Sequence, residues 1–205
     1  MDSGLFSHVF FETGNLGKKD PFLRWKHHQT DSEIYDLASI TKSIATGPLI
    51  LDYMQTTSLN DSSVISDWAS IDSIDQAISK TKIVDLLAHK SGLRPWINLY
   101  VNNLLQLDVN LKQQNRSKII DSLFQRNDLF RKGINVGIDC YSDVGFIILG
   151  RLLELNSGKN LGQLWTEFKD KVLGENLIIG YRNQFGEPND SFISTGYCKI
   201  RQRET

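Results

Sequence analysis

The segment YDLASITKSIAT (residues 35–46) places a serine and a lysine three positions apart at the start of an apolar stretch. Its first half is typical of the end of a strand, and the apolar residues Ile40 and Ile44 recur at helical spacing. The segment therefore predicts a strand that runs into a helix, with Ser39 and Lys42 on one face of the first turn. A serine hydroxyl is a poor nucleophile until a nearby base takes its proton. A lysine can serve as that base when burial or neighbouring charge lowers its pKa.

A Ser-x-x-Lys pair is a weak signal by itself, because the chain contains a second copy, Ser79 and Lys82 in SKTK. The ordinary interpretation of either copy is a helix-start serine followed by a solvated lysine. Polar, lysine-rich residues surround the second copy, whereas apolar residues flank Ser39 on both sides. Amide groups at the start of a helix also point outward and can stabilise developing negative charge. The context therefore favours the first copy over the second as a nucleophile with its activator, and a helix-start serine with a solvated lysine stays the alternative.

The composition is that of an ordinary soluble globular protein, with 205 residues, 40% hydrophobic and 23% charged. That length allows one or two domains with a buried core. The formal net charge of -1 provides no long-range field that would attract nucleic acid or an anionic membrane surface. No apolar run approaches the roughly 18 residues of a membrane span. We therefore expect neither nucleic acid nor a membrane span.

The two cysteines and the N-terminal segment bear on the cellular compartment. Cys140 and Cys198 form neither a C-x-x-C pair nor a zinc spacing, which favours reduced cysteines in a cytosolic protein. The segment MDSGLFSHVFFETGN (residues 1–15) lacks the basic region and the long apolar region of a secretory signal. We expect a cytoplasmic protein, or a periplasmic one if an export signal has been removed.

Hydrophobic periodicity predicts strands at the start of the chain and helices over most of the rest. Residues 5–12 and 33–37 have strand composition, and Gly47–Pro48 predicts a kink in the helix after Ser39. Further helices are predicted over residues 82–89 with Thr81 as N-cap and Gly92 beyond the end, over 115–125, over 144–155 with Gly158 at C′, and over 161–173. Two strands form only a marginal hairpin, so the first strands are expected to need partners.

Three segments, in order, resemble the serine β-lactamase and penicillin-binding-protein superfamily, and more narrowly its class C-like or esterase-like branch. YDLASITKSIAT resembles the first motif, Ser-x-x-Lys. IVDLLAHKSGLRPW (residues 83–96) resembles a helix-and-loop segment LLTHTSGLP, and CYSDVGFIILGRLLELNSGKNLGQLW (residues 140–165) resembles the segment with the Tyr-x-Asn motif. The resemblance implies an α/β (α+β) fold, in which an antiparallel sheet is flanked by helices and joined to a mainly helical subdomain.

The resemblance also implies how the chain is organised. We expect one β-lactamase-like domain over residues 1–205, with N-terminal strands in 1–37, a mainly helical region with the motifs in 38–175, and an irregular tail in 176–205. The family's third motif, K-T-G or H-x-G, does not follow Tyr141. KSG at 90–92 ends a helix before Tyr141, and STG at 194–196 has a serine in place of the cation. We therefore expect that the C-terminal part, with the remaining strands of the sheet, is missing.

By the resemblance, Ser39 is the acylated nucleophile, and Lys42 hydrogen-bonds its hydroxyl and helps to move the proton. Tyr141 is the second base, favoured as a phenolate by the nearby ammonium, and later protonates the leaving group. The other Tyr-x-Asn triplets, at Tyr100 and Tyr181, lack the following glycine and apolar helix, so surface or core packing is their expected role.

Asp143 stands at the third place of the motif, where asparagine is more usual, and would be a substrate-binding residue. An ionised carboxylate accepts hydrogen bonds but cannot donate one to a substrate carbonyl. It would also hold Lys42 charged and raise the lysine pKa. This departure favours an esterase-like substrate range over efficient β-lactam or peptide hydrolysis.

The leading functional hypothesis is a serine hydrolase that forms an acyl-enzyme at Ser39 on an ester or amide, such as a β-lactam, a D-amino peptide or a small ester. It calls for no metal or organic cofactor, and we expect weak or absent activity from this chain alone. The alternative is a non-catalytic remnant or binding protein that retains the fold. A helical interaction module would require the three segments to be coincidental. Because an incomplete sheet exposes strand edges, we also expect the chain either to self-associate or to rearrange its N-terminal segment.

Overall fold

The computed structural model describes residues 9–13, 23–27, 36–97, 99, 112–130, 136–174, 179–180, 197–198 and 203–204. The chain divides into two compact units, residues 1–38 with 182–205 and residues 39–181. No helix among the described residues is long and apolar enough to cross a membrane.

The described residues of the first unit form two short antiparallel strand pairs. Strand β1 (Val9–Thr13) pairs with β2 (Leu23–His27), and β3 (Tyr197–Cys198) pairs with β4 (Arg203–Glu204). The first predicted strand, residues 5–12, overlaps β1, and its residues before 9 lie outside the described ones. The second prediction, a strand over 33–37, is wrong where the structure describes it, because residues 36 and 37 have no regular structure. β1 pairs instead with LRWKH, whose basic residues interrupt the apolar signal on which the prediction relied.

The second unit is helical in its described part. It contains a π-helical turn (Lys42–Thr46), α1 (Gly47–Thr56), α2 (Ile65–Trp68), α3 (Gln76–Ser79), α4 (Ile83–Leu87), α5 (Lys112–Asp121), α6 (Asp143–Ser157) and α7 (Leu161–Val172). Two 3₁₀ turns, Ser122–Gln125 and Asn127–Leu129, follow α5. The helices predicted over 115–125, 144–155 and 161–173 are confirmed, apart from differences of a few residues at their ends.

Helix α6 is the centre of this unit. It packs against the π-helical turn, α1, α2, α4, α5 and α7. Its buried face is apolar, and full burial of such a side chain contributes about 1.5–3 kcal/mol. The members of this face with no more than 2% of their surface exposed are Val144, Ile148, Leu149, Leu152 and Leu153. Gly158 ends the helix as predicted, with φ 69 in the left-handed region that favours glycine. The position of α6 fixes the segment at its N-terminus against the rest of the unit.

The helix after Ser39 is irregular where the Gly47–Pro48 pair predicts a kink, and the irregularity is a wider, π-helical turn. The N–H of Gly47 bonds to the carbonyl of Lys42, five residues earlier, and Pro48 has no N–H to donate. A Cβ atom at Gly47 would lie 2.9 Å from that carbonyl oxygen, so glycine permits the close approach. π-helical turns are rare and often occur at functional sites.

The predicted boundaries of α4 are corrected by the structure. Lys82, not Thr81, occupies the N-cap position, and the Thr81 hydroxyl donates to the Ala77 carbonyl at 3.0 Å. Thr81 therefore closes the preceding helix and does not cap the next one. The helix also ends at Leu87, well before Gly92, because His89 takes the left-handed conformation at φ 58 that ends it.

Candidate active site

The Ser39–Lys42 pair has the geometry that its spacing predicts. Lys42 Nζ donates a hydrogen bond to Ser39 Oγ at 3.1 Å, and the Lys42 N–H donates to the Ser39 carbonyl at 3.1 Å. Ser39 is exposed, whereas only 16% of the Lys42 side chain is exposed. The Ser39 hydroxyl is therefore open to solvent, while the Lys42 ammonium is partly withdrawn from water.

The second Ser-x-x-Lys copy has a different arrangement. The Ser79 hydroxyl donates to the Gln76 carbonyl at 2.9 Å in the last turn of α3, and Lys82 is exposed at the N-cap of α4. The Ser79 hydroxyl therefore donates its hydrogen bond to the backbone and not to a side chain. The preference for Ser39 as the reactive serine agrees with this difference.

Asp143 and Tyr141 complete a cluster around the Lys42 ammonium. Asp143 Oδ1 lies 2.7 Å from Lys42 Nζ in an ion pair, and 39% of the carboxylate side chain is exposed. Lys42 Nζ lies 5.1 Å from the centroid of the Tyr141 ring. The Tyr141 hydroxyl is hydrogen-bonded to both Lys42 and Ser39, and half of its side chain is exposed. The structure therefore brings together all four residues that the sequence selects.

The electrostatics of the cluster favour an ammonium at Lys42 and a more acidic phenol at Tyr141. Burial opposes the charged form of Lys42, but hydrogen bonds to Asp143 and Tyr141, together with their charges, outweigh it and raise the lysine pKa. Hydrogen bonds from Lys42 and Ser39 lower the pKa of Tyr141, against the effects of burial and of the Asp143 charge. Lys42 therefore holds its proton more tightly than an ordinary lysine, and the Tyr141 phenol gives up its proton more readily than an ordinary tyrosine.

Ser142 and the 94–95 loop hold the Tyr141 segment in place. The Ser142 hydroxyl donates to the Arg94 carbonyl at 2.6 Å and accepts from the Gly145 N–H at 3.2 Å, so it caps α6. The Asp143 N–H donates to the Pro95 carbonyl at 2.8 Å. The sequence analysis did not select Ser142, although a serine directly before an acidic first turn and an apolar helix is a recognisable N-cap signal.

His89 is a second site residue that the sequence analysis did not select. Its Nδ1 accepts a hydrogen bond from the Ser142 N–H at 3.0 Å, and its ring centroid lies 4.4 Å from that of Tyr141. Burial and then the charge of Lys42 lower the His89 pKa, against the effect of Asp143. The signal was present in LLAHKSG, where a polar, titratable residue ends an apolar helix beside the selected loop.

The other motif-like triplets do not join this cluster in the described structure. In KSG at 90–92, the side chain of Lys90 lies 3.7 Å from Asp139 Oδ1, and Ser91 is buried. The triplets at Tyr100 and Tyr181, and STG at 194–196, lie outside the described residues. Within the described part of the chain, no group of three or more His, Cys, Asp or Glu residues could hold a metal ion.

Solved structures that are similar over most of this chain include the following three. A protein described as a candidate β-lactamase from Bacteroides dorei DSM 17855 is 19% identical, with a TM-score of 0.59 over 86% of this chain and 49% of its own. An octameric penicillin-binding protein homologue from Pyrococcus abyssi is 15% identical, with a TM-score of 0.64. The match covers 97% of this chain and 45% of the homologue. A penicillin-binding protein from Bacillus halodurans is 16% identical, with a TM-score of 0.55. The match covers 96% of this chain and 59% of that protein.

The chain shares the fold of β-lactamases and penicillin-binding proteins. The predicted resemblance is confirmed at the level of fold, and the chain spans about half of the length of these three structures. No protein-family model matches the sequence, and no curated protein is significantly similar to it. The predicted sheet flanked by helices is only partly supported, because the described residues are mainly helical and include just two separate strand pairs.

Proposed function

We propose that this chain carries the acyl-transfer site of a serine hydrolase, with Ser39 as the nucleophile. The proposal depends on one observation above all: a single ammonium, that of Lys42, bonds the Ser39 hydroxyl, the Tyr141 phenol and the Asp143 carboxylate at once. An exposed serine hydroxyl beside a phenol of lowered pKa has both a nucleophile and a proton acceptor. The fold shared with β-lactamases and penicillin-binding proteins supports the same reaction class.

In the first step, Ser39 Oγ attacks the carbonyl carbon of an ester or amide while its proton passes to the ionised Tyr141 oxygen. A C–O bond forms, and the carbonyl π electrons move onto the carbonyl oxygen. Collapse of this intermediate expels the alcohol or amine, which takes the proton back from Tyr141, and leaves an acyl group on Ser39. Lys42 remains an ammonium and stabilises the Tyr141 phenolate before it takes the serine proton and after it gives the proton up.

In the second step, water attacks the acyl carbon and gives a proton to Tyr141. The bond to Ser39 Oγ then breaks, the serine oxygen regains a proton from Tyr141, and the carboxylic acid leaves. Backbone N–H groups at the start of the helix after Ser39 are suited to the developing negative charge, and one such donor is worth about 10² to 10³ in rate. No metal or organic cofactor enters either step.

Asp143 favours a small ester as the substrate class over a β-lactam or a D-amino peptide. Its carboxylate is an acceptor and cannot donate a hydrogen bond to a substrate carbonyl. Its Oδ1 is already paired with Lys42 at 2.7 Å. A substrate that needs an amide donor at this place would lose that interaction.

A covalent serine probe tests the proposal directly. A fluorophosphonate should label the chain, and Ser39→Ala should lower the labelling rate by about 10²-fold or more because the attacking oxygen is gone. Ser79→Ala, in the second Ser-x-x-Lys copy, should label like the wild type. Equal labelling of Ser39→Ala and wild type, or no labelling of a folded wild-type chain, would overturn the proposal.

A non-catalytic binding protein with the same fold is the second candidate. The raised pKa of Lys42 favours it, because a lysine that stays protonated cannot itself accept the serine proton. A binding protein would be stabilised against heat by an ester or β-lactam ligand without any adduct mass at Ser39. An adduct that disappears in Ser39→Ala would exclude this candidate.

We also expect the chain to self-associate. Three of its described apolar side chains, Leu51, Val172 and Leu173, are each about half exposed, at 52%, 54% and 51%. The Pyrococcus abyssi homologue is octameric. Light scattering over a range of protein concentrations should therefore give a mass above that of one chain, and a constant monomer mass would contradict the expectation.

A further inference from the structure

His89 contacts the chain on both sides of Tyr141. Its carbonyl oxygen accepts from the Cys140 N–H at 2.8 Å, and its ring Nδ1 accepts from the Ser142 N–H at 3.0 Å. The amides directly before and after Tyr141 are thus bonded to one residue that lies about fifty positions away in the sequence. The His89 ring also lies 4.4 Å from the Tyr141 ring, with the planes tilted by 32°.

The backbone position of His89 is one that usually belongs to glycine. The Lys90 N–H bonds to the Asp85 carbonyl at 2.7 Å, and the His89 N–H bonds to the Leu86 carbonyl at 3.2 Å. This pair of bonds is the Schellman motif that ends α4, and His89 is its C′ residue, with φ 58. A residue with a Cβ atom pays about 1–2 kcal/mol in that conformation. Glycine would therefore end the helix at a lower conformational cost than histidine. The imidazole instead contacts the Ser142 N–H and the Tyr141 ring.

Those contacts require a neutral imidazole. An Nδ1 that accepts from the Ser142 N–H cannot carry a proton, so the ring proton must be on Nε2. The titratable and charged groups around the ring are Lys42 on the π-helical turn, Asp143 on α6, Tyr141 on the adjoining loop, and the Lys90–Asp139 pair beside that loop. Phe146 on α6 covers the ring at 5.1 Å between centroids. Burial and the Lys42 charge lower the His89 pKa, so the neutral form prevails at pH 7.

We infer that His89 is a positioning residue that helps to hold Tyr141 against Lys42 and Ser39 while its Nδ1 is unprotonated, so that acid removes one of the contacts that fix the Tyr141 segment. Protonation would place an N–H against the Ser142 N–H, and the bond between them would be lost. The consequence for catalysis rests on the proposed function. The effect on Tyr141 itself does not.

Two substitutions at position 89 separate the acceptor from the backbone conformation. His89→Asn keeps an acceptor oxygen at the δ position, and His89→Gly removes the side chain. Both residues tolerate the left-handed conformation, and glycine is the usual C′ residue, so both variants should fold. The primary readout is the pKa of the Tyr141 phenol in the full chain, followed by NMR with a carbon-13 label at tyrosine Cζ. The Tyr141→Phe variant assigns the signal.

The Tyr141 pKa should stay lowered in His89→Asn and should rise toward its ordinary value of 10.0 in His89→Gly. Labelling of Ser39 by the fluorophosphonate should slow by about tenfold in His89→Gly and be largely restored in His89→Asn. In the wild type the labelling rate should also fall below pH 6.5, the ordinary pKa of histidine, and His89→Asn should lack this step.

An unchanged Tyr141 pKa in His89→Gly would overturn the inference, as would a pH profile of His89→Asn identical to that of the wild type. If no variant and no wild-type chain is labelled at Ser39, the proposed function fails. The NMR titration still decides the role of His89 in that case, because it needs no turnover.

Discussion

The Lys42 ammonium at the candidate site is shared by a hydroxyl, a phenol and a carboxylate. The carboxylate keeps the lysine charged, since Asp143 Oδ1 lies 2.7 Å from the ammonium nitrogen, against 3.1 Å for Ser39 Oγ. A lysine held in this way donates hydrogen bonds and stabilises negative charge but does not take up a proton at neutral pH. In the proposed mechanism, proton transfer therefore depends on Tyr141.

Replacing Asp143 by Asn should shift the activity of the site to lower pH. The carboxylate raises the pKa of Lys42 and opposes the lowered pKa of Tyr141, so its removal lowers both. More of the Tyr141 phenolate is then available at a given pH, and fluorophosphonate labelling at pH 7 should rise by roughly three- to tenfold. Labelling rates between pH 5 and 10 measure the shift. Asp85→Asn, in the first turn of α4, is the matched control and should not move the profile. A profile of Asp143→Asn that coincides with the wild type would exclude this role of the carboxylate.

Removing only the hydroxyl of Tyr141 should impair the site, although the ring and its packing are kept. Tyr141→Phe keeps the aromatic contact with His89, at 4.4 Å between ring centroids, and loses only the group that bonds Ser39 and Lys42. General-base catalysis contributes about 10² to 10⁴ in rate, so labelling should fall by at least about 10²-fold. Tyr53→Phe, whose half-buried ring packs on Trp68 at 5.2 Å, provides the control. A Tyr141→Phe chain that labels at the wild-type rate would assign the proton transfer to another group.

The sequence predicts the four residues of the candidate site better than it predicts the residues that hold them in place. Ser39 and Lys42 could be paired because three positions on a helix bring side chains to one face. Tyr141 and Asp143 were found through the family resemblance, and the structure brings them to the same ammonium. His89 was not found because its value arises from contacts with a segment about fifty residues away, which no local periodicity encodes.

At the scale of elements, the π-helical turn is the feature most closely tied to the site. The turn begins at Lys42, and the Gly47 N–H returns to the Lys42 carbonyl. The wider turn therefore sets the backbone of the residue whose ammonium organises the cluster. The sequence predicts an irregularity from Gly47–Pro48, but proline chemistry alone does not distinguish a kink from a π-helical turn.

Gly47→Ala should disturb this turn and the site together. The added Cβ would meet the Lys42 carbonyl oxygen at 2.9 Å, and the neighbour is backbone, which cannot move aside cheaply. Overpacking of this kind costs about 1–3 kcal/mol, so the free energy of unfolding in urea should fall by that amount and labelling of Ser39 should slow. Gln55→Ala, an exposed position on the same helix, should change neither quantity appreciably. Equal behaviour of the two variants would show that the turn tolerates a side chain at position 47.

At the scale of the molecule, the helical unit is more predictable than the strands. Helix α6 could be recognised because its apolar residues recur at helical spacing over fifteen residues and a glycine follows them. β2 was not recognised, because a five-residue strand with three basic residues is decided by its partner, which lies ten or more positions away. The fold is shared with β-lactamases and penicillin-binding proteins at less than 20% identity. Three short motif-like segments in the right order therefore indicated this fold, although the identity over the aligned chains is low.

The stability of the whole chain should fall on mild acidification because of His89. Its pKa is lower in the folded state than its ordinary value of 6.5, so the unfolded chain binds more protons in this range. Stability from the neutral imidazole is therefore complete above pH 6.5 and is lost as the pH falls through the lowered pKa. The lowered pKa of Asp128 acts only below its ordinary value of 3.8, which keeps the two effects apart.

Urea unfolding of the wild type and of His89→Asn at pH 7.5, 6.5 and 5.5 measures this contribution. The other three histidines, His8, His27 and His28, are common to both chains, so the difference between the two curves isolates His89. The wild type should lose stability relative to His89→Asn as the pH falls below 6.5, because asparagine keeps the acceptor without a proton to bind. Curves that remain parallel from pH 7.5 to 5.5 would mean that the bond between His89 and the Ser142 amide contributes nothing to the folded state that acid can remove.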